Sequence, residues 1–181
     1  MHKGQHIVLS PLTEADLPIL YDWINDRSQV LFNTGYKPIS AVAHLEWFRS
    51  IQGRRDLYVL GIRLNDTGEL IGSCQLKGIH PVYRIAELQC RIGRADQRGK
   101  GLGTEAVRLL LDFAFRDLNL QRVFLHVFAT NERAIRAYEK AAFMREGVMR
   151  RAAYLDGQYV DVLIMGILRE EHLRGEEHAQ V

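Results

Sequence analysis

A glycine-rich segment at residues 98–103, Arg-Gly-Lys-Gly-Leu-Gly, constrains this chain more than any other feature of its sequence. Residues 86–92 before it have the pattern of a strand, and residues 104–118 after it place their apolar side chains on one helical stripe. Glycines let a ligand oxygen approach the backbone without a Cβ in the way. Because the free N–H groups at a helix N-terminus carry partial positive charge, the segment predicts an anion-binding turn, with Arg98 and Lys100 adding charge at its rim.

The elements around this turn come in a mixed order, which predicts an α+β fold with a mixed sheet. An antiparallel meander is followed by a strand-helix-strand-helix run and then by a closing hairpin. The predicted strands cover residues 6–9, 57–64, 70–76, 86–92, 122–128, 148–154 and 159–167. The predicted helices cover residues 13–23, 40–51, 104–118 and 131–142. The second helix is expected to turn Val42 inward, and the charged tail from Arg169 is expected to fray after about one turn.

Composition favours one globular domain over residues 1–181, because 47% of the residues are hydrophobic and only 4 are proline. The formal net charge of +2 is too small to indicate binding to nucleic acid or to a membrane surface. No stretch is apolar enough to span a bilayer, and the first ten residues lack the apolar core of a secretion signal. We therefore expect a cytoplasmic protein.

The two cysteines and seven histidines predict no metal site. Cys74 and Cys90 lack the spacing of zinc ligands or of a redox pair, and a reducing compartment keeps them as thiols. The histidines are scattered, with no ligand-like spacing that also meets a cysteine or carboxylate cluster. A small buried hydrophobe is the more common role of such a cysteine.

The spacing of the glycines and of Lys100 distinguishes between the classes of phosphate ligand that the turn could bind. A nucleoside-triphosphate loop needs lysine followed by serine or threonine, whereas Lys100 is followed by Gly101. A dinucleotide fingerprint needs a different glycine spacing and an acidic residue after the second strand, and the strand ending at Phe128 has none. A nucleotide-dependent enzyme stays an alternative that predicts protection by ATP or NAD.

The turn resembles the Arg/Gln-x-x-Gly-x-Gly/Ala signature of the GNAT superfamily of N-acetyltransferases, through Arg98, Gly101 and Gly103. A second match follows a strand and a helix later, where the family carries Asn-x-x-Ala-x-x-x-Tyr. Here Asn131, Ala134 and Tyr138 occupy those positions, and Ala142 stands where the family usually has glycine. The two motifs together cover about residues 86–143.

The resemblance implies a mostly antiparallel sheet of seven strands flanked by about four helices. It also implies that strands 86–92 and 122–128 splay apart, so that the pantetheine arm of acetyl-coenzyme A lies between them. The pyrophosphate would rest on the turn, and a backbone N–H near Arg91 or Ile92 would polarise the thioester carbonyl. The residues expected to bind this co-substrate are Cys90, Arg91, Ile92, Arg98, Gly99, Lys100, Gly101, Leu102, Gly103, Thr104, Asn131, Arg133 and Tyr138.

Acetyl transfer by direct attack through a tetrahedral intermediate needs a neutral amine and a proton for the departing thiolate. The resemblance makes Tyr138 the general acid, and a core aromatic is the alternative role for this residue. Glu87 is the expected proton acceptor. The alternatives are that Glu87 is only a solvated residue on its strand and that water relays the proton. Asn131 is expected to cap its helix, to contact the co-substrate, or to do both.

The acceptor is expected between the loop at 25–38, the second helix and the closing hairpin. Expected acceptor contacts are Phe32, His44, Trp47, Glu87 and Tyr154. A small amine such as an amino sugar or a polyamine ranks ahead of the N-terminus of a ribosomal or other protein. A module that binds acyl-coenzyme A without catalysis is the third possibility. A homodimer is a further expectation.

Overall fold

The computed structural model of the protein describes residues 1–31 and 35–179, with side chains described up to Arg174. The described residues form eight strands: β1 (His2–Lys3), β2 (Ile7–Pro11), β3 (Leu57–Leu64), β4 (Leu70–His80), β5 (Ile85–Ile92), β6 (Arg122–Phe128), β7 (Met144–Leu155) and β8 (Gln158–Leu168). They also form six α-helices: α1 (Leu17–Asn25), α2 (Arg27–Val30), α3 (Ala41–Ser50), α4 (Leu102–Asp112), α5 (Glu132–Lys140) and α6 (Arg169–Ala179). The α+β fold predicted from the sequence is thereby confirmed.

All eight strands belong to one sheet with the order β1-β2-β3-β4-β5-β6-β8-β7. Every neighbouring pair is antiparallel except β5 and β6, which run parallel. The expected count of seven strands was one too low. The missed strand, β1, has two residues paired with β2, too few to show a period of alternation.

The main core lies between the sheet and α4, whose side chains Val107, Leu110 and Leu111 are almost completely buried. A π-helical turn at Phe113–Asp117 continues the helix, which accounts for the longer helical pattern of the sequence. The stripe of apolar residues therefore predicted both the helix and its buried face.

A second core cluster joins α1 and α3 to the sheet, with Trp23 and Phe48 buried at its centre. Trp23 lies directly on Gly93, where an added Cβ would come within 2.2 Å of the indole. Val42 is 67% exposed, so the expectation that it faces inward was wrong. On α3 the inward positions are His44 and Phe48, four residues apart and hence on one face.

Two helices were not expected from the sequence. The short α2 interrupts the predicted loop at 25–38 and is capped by Asp26, whose side chain accepts a hydrogen bond from the Ser28 N–H. The helix α6 extends through Ala179, well beyond the single turn expected of the tail. Near its start the buried His172 lies 2.8 Å from Asp112 at the end of α4, so this tertiary contact holds the helix to the core.

Ala142, which stands where the GNAT motif usually has glycine, follows α5 with a left-handed φ of +67°. A side chain at such a position costs about 1–2 kcal/mol, while glycine adds about 0.5–1 kcal/mol of backbone entropy cost. We expect Ala142→Gly to stabilise the protein by about 0.5–1 kcal/mol, a rise in Tm of about 2 °C. Thermal unfolding followed by circular dichroism measures this change.

Ala137→Gly in the same helix is the matched control, because its position is helical and glycine there costs about 1 kcal/mol. A variant Ala142→Gly that melts as low as Ala137→Gly would show that the left-handed residue carries no strain.

Candidate active site

The parallel ladder between β5 and β6 covers only their first residues. It pairs Ile85 with Arg122, Ala86 with Val123 and Glu87 with Phe124, and it then stops. Beyond that point β5 remains paired with β4 as far as Ile92, while β6 remains paired with β8 as far as Phe128. The two strands therefore diverge, as expected, and leave a slot between facing backbone edges.

The glycine turn lies at the open end of this slot. Gly99 and Gly101 have φ values of +78° and +83°, which explains glycine at both positions. The helix α4 then begins at Leu102, so the N–H groups of its first turn face out of the helix without intrahelical acceptors. The turn and the helix N-terminus thus lie where the sequence predicted them, and anion binding there stays a prediction.

A cleft that we call the glycine-turn cleft runs from this turn into the slot, with a volume of about 260 Å³. Most of the residues expected to bind the co-substrate line it: Cys90, Arg91, Ile92, Arg98, Gly99, Gly101, Gly103, Thr104, Asn131, Arg133 and Tyr138. Lys100 and Leu102 do not line it. Leu102 points into the core, and the Lys100 ammonium lies 3.1 Å from the Gln97 side chain.

Arg98 does not point its charge outward at the rim as expected. Its guanidinium donates hydrogen bonds to the backbone oxygens of Ile92 and Gly93, at 3.1 and 2.9 Å, and to the side chain of Gln29 at 2.7 Å. Burial, and then the charge of Arg133, lowers the pKa of Arg98. The motif arginine therefore ties the turn to the end of β5 and to α2.

The positive rim of the cleft comes instead from α5. Arg133, Arg136 and Lys140 line it, and their spacing of three and four residues puts them on one helical face. Sequence reasoning named Arg133 and missed the other two, although this spacing was visible. None of the described residues that line the cleft is acidic, so the cleft favours an anion.

Tyr138 is buried where the glycine-turn cleft meets a second cavity, and it lines both. Burial raises the pKa of its phenol well above the ordinary value, an effect only partly opposed by a hydrogen bond from the Cys90 backbone. Burial likewise raises the pKa of the neighbouring Cys90 thiol to about 12. Near neutral pH the phenol keeps its proton and can donate it, while the thiol is a poor nucleophile.

Asn131 caps α5, because its side-chain oxygen accepts a hydrogen bond from the Ala134 N–H at 3.2 Å. Its own N–H donates to the Phe128 carbonyl at the end of β6, at 2.8 Å. These bonds fix the start of α5, and with it Tyr138 two turns later, relative to the slot. The predicted cap is confirmed, and contact with a co-substrate stays a prediction.

The second cavity, which we call the aromatic cavity, has a volume of about 590 Å³ and lies between α1, α3 and the central strands. His44 and Trp47 line it as expected, with ring centroids 5.2 Å apart and stacked planes. Tyr154 does not line it, since this residue lies near the hairpin tip, is 60% exposed and packs on Tyr159. Phe32 lies outside the described residues.

Glu87 does not line the aromatic cavity either, but it holds a residue that does. Its carboxylate lies 3.2 Å from Nδ1 of His126, which is part of the cavity wall, and 3.3 Å from the ammonium of Lys77. Sequence reasoning missed His126 because the contact joins two parallel strands 39 residues apart. A carboxylate on Nδ1 fixes the tautomer with Nε2 as the proton acceptor.

His44 is buried at the cavity wall, and its Nε2 has no hydrogen-bond partner among the described residues. Burial lowers the pKa of His44, while a hydrogen bond to the Leu17 backbone works in the opposite direction. Because a carbonyl on the ring raises its pKa, that bond is donated by the ring, which leaves Nε2 as an acceptor.

The part of the chain that the structure describes holds no cluster of three or more metal-ligating side chains. No helix in that part is long and apolar enough to cross a membrane. Both cysteines are free thiols.

Residues 6–144 match the family model described as an acetyltransferase (GNAT) domain. The chain therefore belongs to the GNAT acetyltransferase family and is an acyltransferase. It is 38% identical over 175 residues to the spermidine N(1)-acetyltransferase of Escherichia coli strain K12, covering 96% of this chain and 91% of that protein. It is 30% identical over 167 residues to an aminoglycoside N(6')-acetyltransferase type 1 of Klebsiella pneumoniae, covering 82% and 79% of the two chains.

A solved structure with the same fold is the spermidine N-acetyltransferase of Vibrio cholerae in complex with CoA and spermine. Its TM-score is 0.88 at 27% sequence identity, over 92% of this chain and 98% of that one.

The cationic face of α5 can be tested with coenzyme A as the anionic probe. We expect the double variant Arg136→Gln, Lys140→Gln to weaken coenzyme A binding by about 10-fold, because two charges that face the cleft are lost. The loss should shrink as salt is raised. Titration calorimetry at two salt concentrations measures both effects.

The double variant Arg55→Gln, Arg150→Gln is the matched control, since it also removes two charges and both exposed arginines lie outside the cleft. Equal losses in the two proteins would mean that overall charge, and not the face of α5, attracts the probe.

Proposed function

We propose that this protein transfers the acetyl group of acetyl-coenzyme A to a primary amine of a small molecule. The observation that carries the proposal is the position of Tyr138 in the wall shared by the glycine-turn cleft and the aromatic cavity. One proton donor thus faces both the place for a thioester and the place for an amine. Membership of the GNAT family and the CoA complex of the Vibrio cholerae enzyme support the same reaction.

The residues present fit coenzyme A. The first turn of α4 and the cations of α5 would hold its phosphates, and glycines leave open space there, since a Cβ on Gly99 or Gly101 would meet no atom within 4 Å. The slot between β5 and β6 would take an extended arm as an added strand. When bound, acetyl-coenzyme A supplies the thioester that is attacked.

Different residues of the chain would donate and accept the protons of the reaction. The protonated phenol of Tyr138 would donate to the departing sulfur, and the backbone near Arg91 and Ile92 would stabilise the developing oxyanion. On the acceptor side, Nε2 of His126 would take the amine proton, with Glu87 holding the ring and stabilising its charge. Glu87 would thus act through His126 instead of touching the amine itself.

The aromatic cavity supports a small acceptor over a protein N-terminus. Its volume of about 590 Å³ lies within the range of small-ligand sites, roughly 300–1,000 Å³. Helices α1 and α3 contribute wall residues on one side and strands β3 to β6 on the other. The names of the relatives, spermidine and aminoglycoside acetyltransferases, define the first acceptors to test. We place this activity in the cytoplasm, where both thiols would stay reduced.

Tyr138→Phe should lower kcat by about 10- to 1000-fold, because the donor to the sulfur is lost, and should leave coenzyme A affinity near normal. Thiol release measured against an amine panel gives kcat, and calorimetry gives affinity. Burial raises the pKa of this phenol above its ordinary value of 10.0, so deprotonation of Tyr138 should not reduce the wild-type rate below pH 10.

Tyr83→Phe, a change of the same chemistry at an exposed position, is the control. Full turnover by Tyr138→Phe would remove the tyrosine from the reaction. Coenzyme A binding with no turnover of any amine by the wild type would favour a non-catalytic acyl-coenzyme A module.

His126→Gln should lower kcat by about 10- to 100-fold through loss of the proton acceptor. Glu87→Gln should lower kcat by less, because the ring remains but its tautomer is no longer fixed by a carboxylate. Lys77→Gln, which removes only the other partner of Glu87, is the control for the ion-pair network. If His126→Gln turns over normally at saturating amine, the amine attacks in its neutral form without a protein base.

A further inference from the structure

A row of polar side chains lies on one face of β4 and β5. The neighbouring pairs in this row are Ser73 with Arg91, Gln75 with Gln89, and Lys77 with Glu87. The residues that alternate with them on β5, Leu88, Cys90 and Ile92, pack against the main core with α4. The row therefore faces the other side of the sheet, where α1 and α3 lie, and its first two pairs line the aromatic cavity.

Two of the three pairs satisfy each other. The side chain of Gln75 donates a hydrogen bond to that of Gln89 at 2.5 Å. The ammonium of Lys77 lies 3.3 Å from the carboxylate of Glu87. Arg91 is the exception, because its neighbour is a serine and its guanidinium forms no hydrogen bond or ion pair with any described residue.

The charges around Arg91 leave it without a counter-charge. Burial lowers the pKa of Arg91, and the neighbouring charge of Arg98 lowers it further. Three carboxylates lie close to lining residues along the chain, but none pairs with Arg91: Asp22 is exposed on α1, Asp26 caps α2, and Asp161 accepts a hydrogen bond from a backbone N–H of β7. Because arginine stays protonated at neutral pH, a half-buried and unpaired cation lies in the cavity wall.

The position of Arg91 on the sheet assigns its side chain to the acceptor side. The glycine turn leads into α4, and Ile135 and Tyr138 of α5 belong to the same core cluster as α4. The groups that would hold phosphates therefore lie on the opposite face of the sheet. In a strand the N–H and C=O groups lie in the plane of the sheet, whereas side chains stand perpendicular to it. The backbone of Arg91 can thus contact the slot while its side chain faces the acceptor.

The chemistry of an unpaired guanidinium indicates what the acceptor carries. Its planar fork of N–H donors matches the two oxygens of a carboxylate or of a phosphate. The hydroxyl of Ser73, opposite Arg91 on the same face, can donate to the same group. A second protonated amine at this position would be repelled by Arg91, and such a repulsion discriminates against polyamines.

We propose that the acceptor carries an anionic oxygen group, a carboxylate or a phosphate, in addition to its primary amine, and that Arg91 is the specificity residue that pairs with this group. The inference rests on the proposed acetyl transfer and narrows its acceptor. Spermidine, which the names of the relatives make the first acceptor to test, has no anionic group and should be a poor substrate.

The test uses matched pairs of primary amines that differ in the anionic group. One arm compares ω-amino carboxylates of increasing length with their primary amides, in which the amine lies far enough from the carboxyl group to keep a similar basicity. The other arm compares a hexosamine phosphate with the free hexosamine. We expect the best anionic amine to exceed both its neutral counterpart and spermidine by at least about 10-fold in kcat/KM. The arm with the larger ratio identifies the group as carboxylate or phosphate.

Variants of Arg91 assign this preference to its side chain. In Arg91→Gln the ratio between the anionic amine and its neutral counterpart should fall to about one. Arg91→Lys should retain part of the ratio, because the charge remains while the planar fork is lost. Arg49→Gln, an exposed arginine of α3 outside the described cavity wall, is the matched control and should keep the wild-type ratio. Thermal melting confirms that each variant is folded, and the wild-type ratio tests the proposal without any variant.

Calorimetry with coenzyme A tests the other source of an anion, the phosphates of the co-substrate. Arg91→Gln should leave coenzyme A affinity within about 3-fold of the wild type, because the phosphates would be held on the opposite face of the sheet. A loss of coenzyme A affinity of about 10-fold or more, with the ratio between the amines intact, would assign the side chain to the co-substrate and overturn the inference.

The remaining outcomes separate the two proposals. A wild-type ratio near one, a wild-type preference for spermidine, or a ratio that Arg91→Gln leaves intact overturns this inference and leaves acetyl transfer to amines standing. Absence of turnover with every amine, despite coenzyme A binding, overturns the proposed function itself.

Discussion

The parting of β5 from β6 is the constraint on which the rest of this molecule depends. Their ladder ends at the pair Glu87 and Phe124, and each strand then follows its other neighbour. A continuous sheet would satisfy the backbone groups on both edges, whereas the divergence leaves them for an extended ligand. The divergence of the strands also opens the space that is lined by Tyr138 of α5, the helix that Asn131 caps.

Two packing interactions hold this opening at the end of β5. Arg98 takes the last carbonyls of the strand, which gives the otherwise open turn a fixed position against α2. Trp23 packs directly on Gly93, so α1 also contacts the chain just after β5. The cost of partly burying the guanidinium is offset by its three hydrogen bonds, to the backbone oxygens of Ile92 and Gly93 and to the side chain of Gln29.

The two cavities differ in charge in a way that suits the two halves of the reaction. The glycine-turn cleft has helix N–H groups and a cationic face of α5, which match phosphates. The described lining of the aromatic cavity has aromatic, amide and histidine side chains and no carboxylate. This lining suits an amine that is neutral when it attacks. In the proposed reaction, the shared GNAT fold would position the acetyl donor, and α1 and α3 would determine which acceptor fits.

The sequence by itself determined seven of the eight described strands, the long helix, the glycine turn and the cap at Asn131, because each follows from a short-range rule of periodicity, backbone conformation or spacing. The tertiary structure alone decided which side chains meet. His126 joins Glu87 only through the register of two parallel strands, Arg98 turns inward only because the end of β5 offers carbonyls, and Tyr154 is carried away from the cavity by its hairpin. Local sequence patterns indicate the face on which a residue lies. The neighbours of that residue depend on where strands diverge and where helices pack, and both arise from packing over the whole sheet.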